Sequence, residues 1–170
     1  MMKKSIDSFL DSIPEELIVA ELPDPRYIGA KFEHMKRISS PKKKGTVMEK
    51  IVAHLAKAMG RKVVKATSTD YDRSIDGLRT EIKGATLGRG KNQFSFLQIR
   101  PDQHYHQIYF VMFHPNTISI MVMDKATVLT NIHKKFFKKQ HGGKKAKSRT
   151  FLYTGNEESL MKIGAYSIDW

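Results

Sequence analysis

Tyr71-Asp72-Arg73-Ser74-Ile75-Asp76-Gly77-Leu78-Arg79-Thr80-Glu81-Ile82-Lys83 is the stretch from which the fold is read outward. Asp-Gly between two segments of alternating character signals a two-residue hairpin turn, because both central positions take positive φ and these residue types tolerate it. A two-residue loop keeps the sum of partner positions constant. Ile75 then faces Leu78, Ser74 faces Arg79, Arg73 faces Thr80 and Asp72 faces Glu81, with opposed residues on one face of the pleat. Alternation puts Lys83 on the face of Glu81. The hairpin therefore gathers two carboxylates and an ammonium.

Like charges directly opposite one another destabilise a sheet. Two readings relieve the Asp72/Glu81 pair: the charges face water, or a divalent cation sits between them. Oxygen-only donors, with water and a substrate phosphate completing the shell, suit Mg2+, with Mn2+ as its substitute. Lys83 is placed to hold a water or a phosphate oxygen beside such an ion.

Composition narrows the partner. A chain of 170 residues reads as one domain, long enough to bury a core. Thirty Lys and Arg against 17 Asp and Glu leave a net charge of +13, which favours a polyanion. Nucleic acid is the leading candidate, with an anionic membrane surface behind it. The absence of cysteine excludes disulfides, thiolate zinc sites and cysteine nucleophiles. No run approaches the roughly 18 apolar residues of a membrane span. The opening Met1-Met2-Lys3-Lys4-Ser5 leads into Ile6, Asp7 and Ser8, not an apolar signal core. These features predict a cytoplasmic protein with no membrane partner.

Before the hairpin, residues 1–40 form a predicted N-terminal helical segment, with one helix over 5–17, broken near Pro14, and a second over 27–38. Lys42, Lys43 and Lys44 fall in a basic break. An amphipathic helix follows from Gly45 toward Gly60, carrying Met48, Ile51, Val52, Leu55 and Met59 on one face. Glu49 lies at the edge of that stripe. It is free to lean toward whatever the stripe packs on, or to serve a Thr46-Val47-Met48-Glu49 capping box. Residues 62–66 read as a strand and 67–70 as the loop into the hairpin.

After the hairpin, residues 84–92 read as a glycine-rich, basic, mobile loop with Arg89 and Lys91. Residues 94–99 form a buried edge strand that ends at Arg100-Pro101. His104 and His106 share a strand face, but with no third ligand at suitable spacing they do not make a zinc site. Residues 105–113 and 118–123 form a strand pair buried on both faces. A helix over 125–140 leads into a basic run at 134–149, holding Lys134, Lys135, Lys138, Lys139, Lys144, Lys145, Lys147 and Arg149. Gln140-His141-Gly142-Gly143 interrupts it. Glycines let a loop approach a groove closely, and Gln, His and Lys can read base edges, so this run is read as a DNA-contacting loop. A solvated charged face is the alternative. A strand at 150–154 and a helix at 157–168 close the chain.

Taken together, the Glu49 helix, the hairpin with Asp72 and Glu81-Ile82-Lys83, and the apolar strand pair resemble the PD-(D/E)XK nuclease superfamily over roughly residues 45–123. Lys44-Gly45-Thr46-Val47-Met48-Glu49 is similar to the Lys-Gly…Glu helix of several restriction endonucleases and of the mismatch-repair nicking endonuclease. Phe96-Leu97-Gln98-Ile99-Arg100-Pro101-Asp102, followed by Tyr105 and an apolar strand pair, is similar to the region after the hairpin in some type II restriction enzymes. One departure is Tyr71, where the family carries proline.

The resemblance implies an α/β (α+β) fold with a restriction-endonuclease-like core, a central mixed sheet of about five strands flanked by helices. Residues 1–170 would be a single nuclease domain, with 45–123 its catalytic core. It further implies a Mg2+-dependent type II restriction endonuclease that hydrolyses DNA phosphodiester bonds. Asp72, Glu81 and the Ile82 carbonyl would bind the metal, and Lys83 would orient or help deprotonate the water. Glu49 would hold a second metal or a metal-bound water, and Gln98 would support the site from behind. Contacts to double-stranded DNA, the implied partner, would come from Lys42, Lys43, Lys44, Arg89, Lys91, Arg100, Gln140, His141, Lys144, Lys145, Lys147 and Arg149. A homodimer and a cognate DNA methyltransferase are the implied partners. Asp70, Asp72 and Asp76 all precede Glu81; the two-residue loop selects Asp72, and a longer one would make Asp76 the ligand. A structure-specific or nicking repair or junction endonuclease of the same fold is the alternative enzyme, and a non-catalytic basic nucleic-acid-binding protein the alternative of another class.

Overall fold

The computed structural model describes residues 2–15, 24–140 and 149–169. Its hairpin has the expected register. Strands β1 (Val63–Lys65), β2 (Arg73–Ile75) and β3 (Leu78–Thr86) run antiparallel, with Ile75 opposite Leu78, Ser74 opposite Arg79 and Arg73 opposite Thr80. Asp76 at φ 51° and Gly77 at φ 83° form the turn, both left-handed as a primed two-residue loop requires. Asp72 lies just before β2, outside the regular pairing, and its N–H donates to the carbonyl of Thr80, the partner of Arg73, at 3.0 Å.

Helices α1 (Met2–Asp11) and α2 (Glu33–Arg37) are shorter than expected. Residues 25–32 are turns, with Gly29 at φ 68°. Helix α3 (Pro41–Ala58) starts earlier than expected, because Ser40 caps it by accepting from Lys43 N–H and Pro41 takes its first turn. Glu49 is thereby moved to mid-helix. Thr46 Oγ1 donates to Lys42 O at 3.1 Å, so the capping-box reading of Glu49 is corrected.

Beyond β3 come β4 (Phe94–Ile99), β5 (Gln107–Phe113) and β6 (Ile118–Asp124), then α4 (Lys125–His133), β7 (Lys138–Lys139), β8 (Phe151–Gly155), α5 (Glu157–Lys162) and β9 (Tyr166–Ser167). The central mixed sheet has the order β1-β2-β3-β5-β6-β9, with β3 and β5 parallel and the other pairs antiparallel. β5 is buried at every position, as expected of a strand covered on both faces. Strands β4, β8 and β7 form a second, three-stranded sheet, so residues 94–99 are not an edge of the main one. Lys135 at φ 63° ends the region expected to continue α4, and Gly164 at φ 96° ends α5 ahead of β9.

Residues 84–92 are likewise not a free loop. Their first part belongs to β3, Leu87 bridges to Phe94, and Gly88 N–H donates to Gln93 O at 2.9 Å. Arg26, held by Asp24 at 2.7 Å, donates to the carbonyls of Lys91 at 2.7 Å and Gly88 at 2.5 Å. Lys36 donates to Leu87 O. Three carbonyls of this turn, those of Leu87, Gly88 and Lys91, thus fasten it to the N-terminal region.

The core lies between the two sheets and under α3. Phe96, Phe110, Phe137 and Tyr153 interlock with ring centroids 5.0 to 6.4 Å apart. Gly84 governs how α3 seats on β3: a Cβ there would lie 2.3 Å from Met48 Sδ and 3.0 Å from Met48 Cβ. Glu49 follows Met48 in the helix, so this close approach brings a carboxylate to the hairpin. No described helix is long and apolar enough to cross a membrane.

Candidate functional site

Three elements deliver the acidic groups. β3 presents Glu81 and Lys83 two residues apart on one face, as alternation demands, and Lys83 Nζ lies 2.7 Å from Glu81 Oε1. Asp72 Oδ2 accepts from Ile82 N–H at 2.7 Å, which locks its carboxylate against the backbone between those two residues. α3 adds Glu49, whose Oε2 is 3.6 Å from Arg73 Nη1.

These groups strain one another electrostatically. Burial pushes the Glu81 carboxyl above the ordinary range; the charge of Asp72 adds to this, and Lys83 opposes it. Glu49 is pushed up to about 7, first by burial and then by Asp72, with Glu81 adding less; Arg73 and Lys83 pull the other way and lose. Three carboxyls share a half-closed site with two cations.

A hard divalent cation fits that donor set. Among the described residues no three Asp, Glu, His or Cys side chains converge closely enough to hold a metal by themselves. Asp72 and Glu81 provide two carboxylates side by side. Mg2+ keeps several waters and binds through one or two carboxylates plus phosphate oxygens, so two suffice.

The alternative aspartate is spent elsewhere. Asp76 Oδ1 accepts from Lys62 N–H at 2.9 Å and Oδ2 lies 3.6 Å from Arg61, at the exposed tip of the hairpin. Gln98 is exposed on β4, at φ 55° where the β4–β8 register shifts, and its N–H donates to Gln140 Oε1 at 2.6 Å. That places it in the second sheet, not behind the carboxylates. Lys42 and Lys43 are exposed in the first turn of α3, and Lys44 is folded back onto Lys36 O at 3.4 Å. Burial draws the Lys44 ammonium down to about 8, with Lys36 adding to it. Arg89 and Lys91 are exposed in the β3–β4 turn, Arg100 after β4, and Arg149 before β8. His141, Lys144, Lys145 and Lys147 lie outside the described residues.

The sequence assigns no role to Arg73, Tyr105 or Lys125. Arg73 was visible only as one more cation in the hairpin. Tyr105 and Lys125 meet through long-range pairing: Lys125 N–H donates to His106 O at 2.9 Å as β6 ends beside the start of β5, and its Nζ sits 3.9 Å from the Tyr105 ring centroid. No spacing in the sequence announces that contact.

No family model matches the chain, and no curated protein does. Among solved structures it is similar to a bacterial homing endonuclease, with a TM-score of 0.44 and 14% identity over 54% of this chain and 74% of that one.

Proposed function

We propose that this protein is a Mg2+-dependent DNA endonuclease that hydrolyses phosphodiester bonds, of the type II restriction kind. The observation that carries the reading is the buried Glu81 carboxylate, bound by Lys83 at 2.7 Å and flanked by an Asp72 carboxylate pinned to Ile82 N–H. A solvated hairpin would leave these charges in water. Here Glu81 is buried, which costs free energy that a cation-dependent function explains. The net charge of +13 supplies attraction to DNA.

Mg2+ held by Asp72 and Glu81, with the Ile82 carbonyl as a further oxygen, would supply Lewis-acid polarisation of the phosphate and a water of lowered pKa. The chain's own groups do the rest. Asp72 cannot rotate away, because Ile82 N–H fixes it. Lys83, at the boundary of the cluster, orients the attacking water and stabilises the charge that grows on the phosphate. Glu49, on a rigid helix, accepts a hydrogen bond from a water or holds a second ion. Lys42, Lys43, Arg89, Lys91, Arg100 and Arg149 are exposed cations available to backbone phosphates. Cutting both strands at a symmetric site calls for two copies of the chain, and a restriction role calls for a methyltransferase that protects host DNA.

The test is Lys83→Ala on methylation-free plasmid with Mg2+ or Mn2+. Cleavage should be abolished while DNA binding in Ca2+ persists. Wild-type rates in the variant would overturn the site, and a wild-type protein that binds DNA but cuts none under either metal would overturn the enzyme. Discrete fragments identify restriction-type cutting, whereas nicked circles identify a nicking or structure-specific enzyme.

A further inference from the structure

The second sheet turns one side to the core and the other to solvent. Along β4, Phe94, Phe96 and Ile99 are buried while Ser95, Leu97 and Gln98 are exposed. Thr154 of β8 stands opposite Ser95 with their hydroxyls 3.0 Å apart, and Lys138 of β7 stands opposite Leu152. Gln140 extends that pairing by donating its N–H to Thr150 O at 3.0 Å. It lies two residues beyond Lys138, so alternation puts both on the outer side. None of the three strands contains Asp or Glu, and Arg100, Lys139 and Arg149 are exposed at the margins. The outer face is therefore polar, free of carboxylates and edged with cations.

This face looks to the same side of the molecule as the carboxylate cluster. Glu81 and Lys83 pair with Ile108 and Phe110 in the parallel β3–β5 register, and residues side by side in a ladder share a face of the sheet. Phe110 packs on Phe96 and Tyr153 of the second sheet, with ring centroids 5.0 and 6.4 Å apart. The second sheet thus covers the face of the central one that carries Glu81 and Lys83. Gln98 is where its outer side departs from regularity. Leu97 and Gln98 together stand where β8 offers only Leu152, the two-against-one count of a bulge. Gln98 takes φ 55°, uncommon for a residue with a side chain. Gln140 Oε1 accepts from its N–H at 2.6 Å, which fixes the backbone that the bulge frees from β8. The Gln98 side chain itself has no hydrogen-bond partner among the described residues. An amide with donor and acceptor both unspent is held facing outward.

We infer that the outer face of this sheet enters the major groove of duplex DNA and that Gln98 reads an adenine there through its side-chain amide; DNA as the ligand rests on the nuclease reading given above. The lack of carboxylates on the strands and the cations beside them match the charge of a phosphate backbone. The major groove admits a two-stranded ribbon such as the β4–β8 pair. In that groove adenine presents an acceptor at N7 and a donor at N6, which a glutamine amide meets with two hydrogen bonds. Leu97, 50% exposed beside it, suits the methyl group of a thymine. Lys138, Arg100 and Arg149 fall to phosphates, which position the protein without reading sequence. Gln98 is on this account a specificity residue and takes no part in the chemistry.

Gln98→Glu tests this, because it keeps the shape of the side chain and replaces the amide donor with an acceptor. Wild type, Gln98→Glu and Lys138→Ala each select bound sequences from a randomised duplex library in Ca2+. Tm is the control for folding, and cleavage of the selected duplex in Mg2+ is measured separately. Wild type should require adenine at one position of its half-site. Gln98→Glu should lose that preference by about tenfold or more and leave the other positions unchanged, whereas Lys138→Ala should weaken all sequences alike. An unchanged selection by Gln98→Glu would overturn the inference, as would a uniform loss of affinity or a wild type without sequence preference. Should Gln98→Glu lower Tm, Gln140→Ala serves in its place: releasing the Gln98 N–H must relax the same position, and relaxation elsewhere or nowhere overturns the inference. Selection of a site that the protein does not cleave would support the reading face and overturn only the nuclease reading.

Discussion

Replacing Glu49 with Gln should make the metal-free protein more stable at pH 8 and leave it nearly unchanged at pH 5. The Glu49 carboxyl is pushed up to about 7 in the folded chain by burial and by the charges of Asp72 and Glu81. An unfolded glutamate titrates near its ordinary value of about 4.3. Between those values the folded state binds more protons than the unfolded one, so stability falls as pH rises through this window and the loss is complete above about pH 8. At roughly 1.4 kcal/mol per pKa unit the ceiling is about 4 kcal/mol. The Glu49 side chain is 26% exposed and pairs with Arg73 at 3.6 Å. Solvent screening and loss of that pair reduce the expected net gain at pH 8 to about 1–2 kcal/mol. In a domain of this size that is a rise in Tm of about 2–8 °C. The assay is urea unfolding followed by circular dichroism in EDTA at pH 5, 6.5 and 8. Destabilisation of Glu49→Gln at both pH extremes would refute the reasoning, because Glu49 would then be a structural partner of Arg73 and not a group held against its own preference.

Two further outcomes are expected. Gly84→Ala should lower stability by about 1–3 kcal/mol, because its Cβ would meet Met48 Sδ at 2.3 Å and Cβ at 3.0 Å, and overpacking of a seated helix costs that much; an unchanged urea midpoint would show that α3 gives way freely. Asp76→Ala should cost about 1–2 kcal/mol through its lost bond to Lys62 N–H and its left-handed φ of 51°, with DNA cleavage retained in the folded fraction; loss of cleavage at unchanged stability would return Asp76 to the list of metal ligands.

The hairpin was legible because Asp76-Gly77 dictates a turn type and the turn type dictates register, leaving no freedom in which residues face each other. The β5–β6 pair was legible from its unbroken apolar runs. Helix limits were less so: Ser40-Pro41 is a strong start signal, but the lysines after it read as a loop, and this shifted the start past the point where Glu49 could be told from a cap. The second sheet was illegible, since β7 is two lysines whose strand character comes only from β8 beside it. Gly84 reads as loop in the sequence because glycine in a strand lowers local propensity, and its purpose, letting Met48 approach, exists only once α3 is docked. Tyr105 and Lys125 belong to the same class of long-range consequence.

Charge balance explains why the site and the rest of the surface pull in opposite directions. The chain as a whole is strongly cationic at +13, which favours a polyanionic partner. At the cluster, however, the carboxylates of Glu49, Asp72 and Glu81 outnumber the cations of Lys83 and Arg73, three against two. A phosphodiester arriving there meets net repulsion in a low-dielectric setting where it counts most. Partial protonation of Glu49 near neutral pH relieves this only to neutrality. A bound divalent cation reverses it, from one excess negative charge to one excess positive, and also lowers the Glu49 carboxyl back toward its ordinary range. On the proposed reading, metal and substrate therefore bind cooperatively: each removes the electrostatic cost that the other meets alone, and the raised Glu49 carboxyl is the measurable trace of that cost in the metal-free protein.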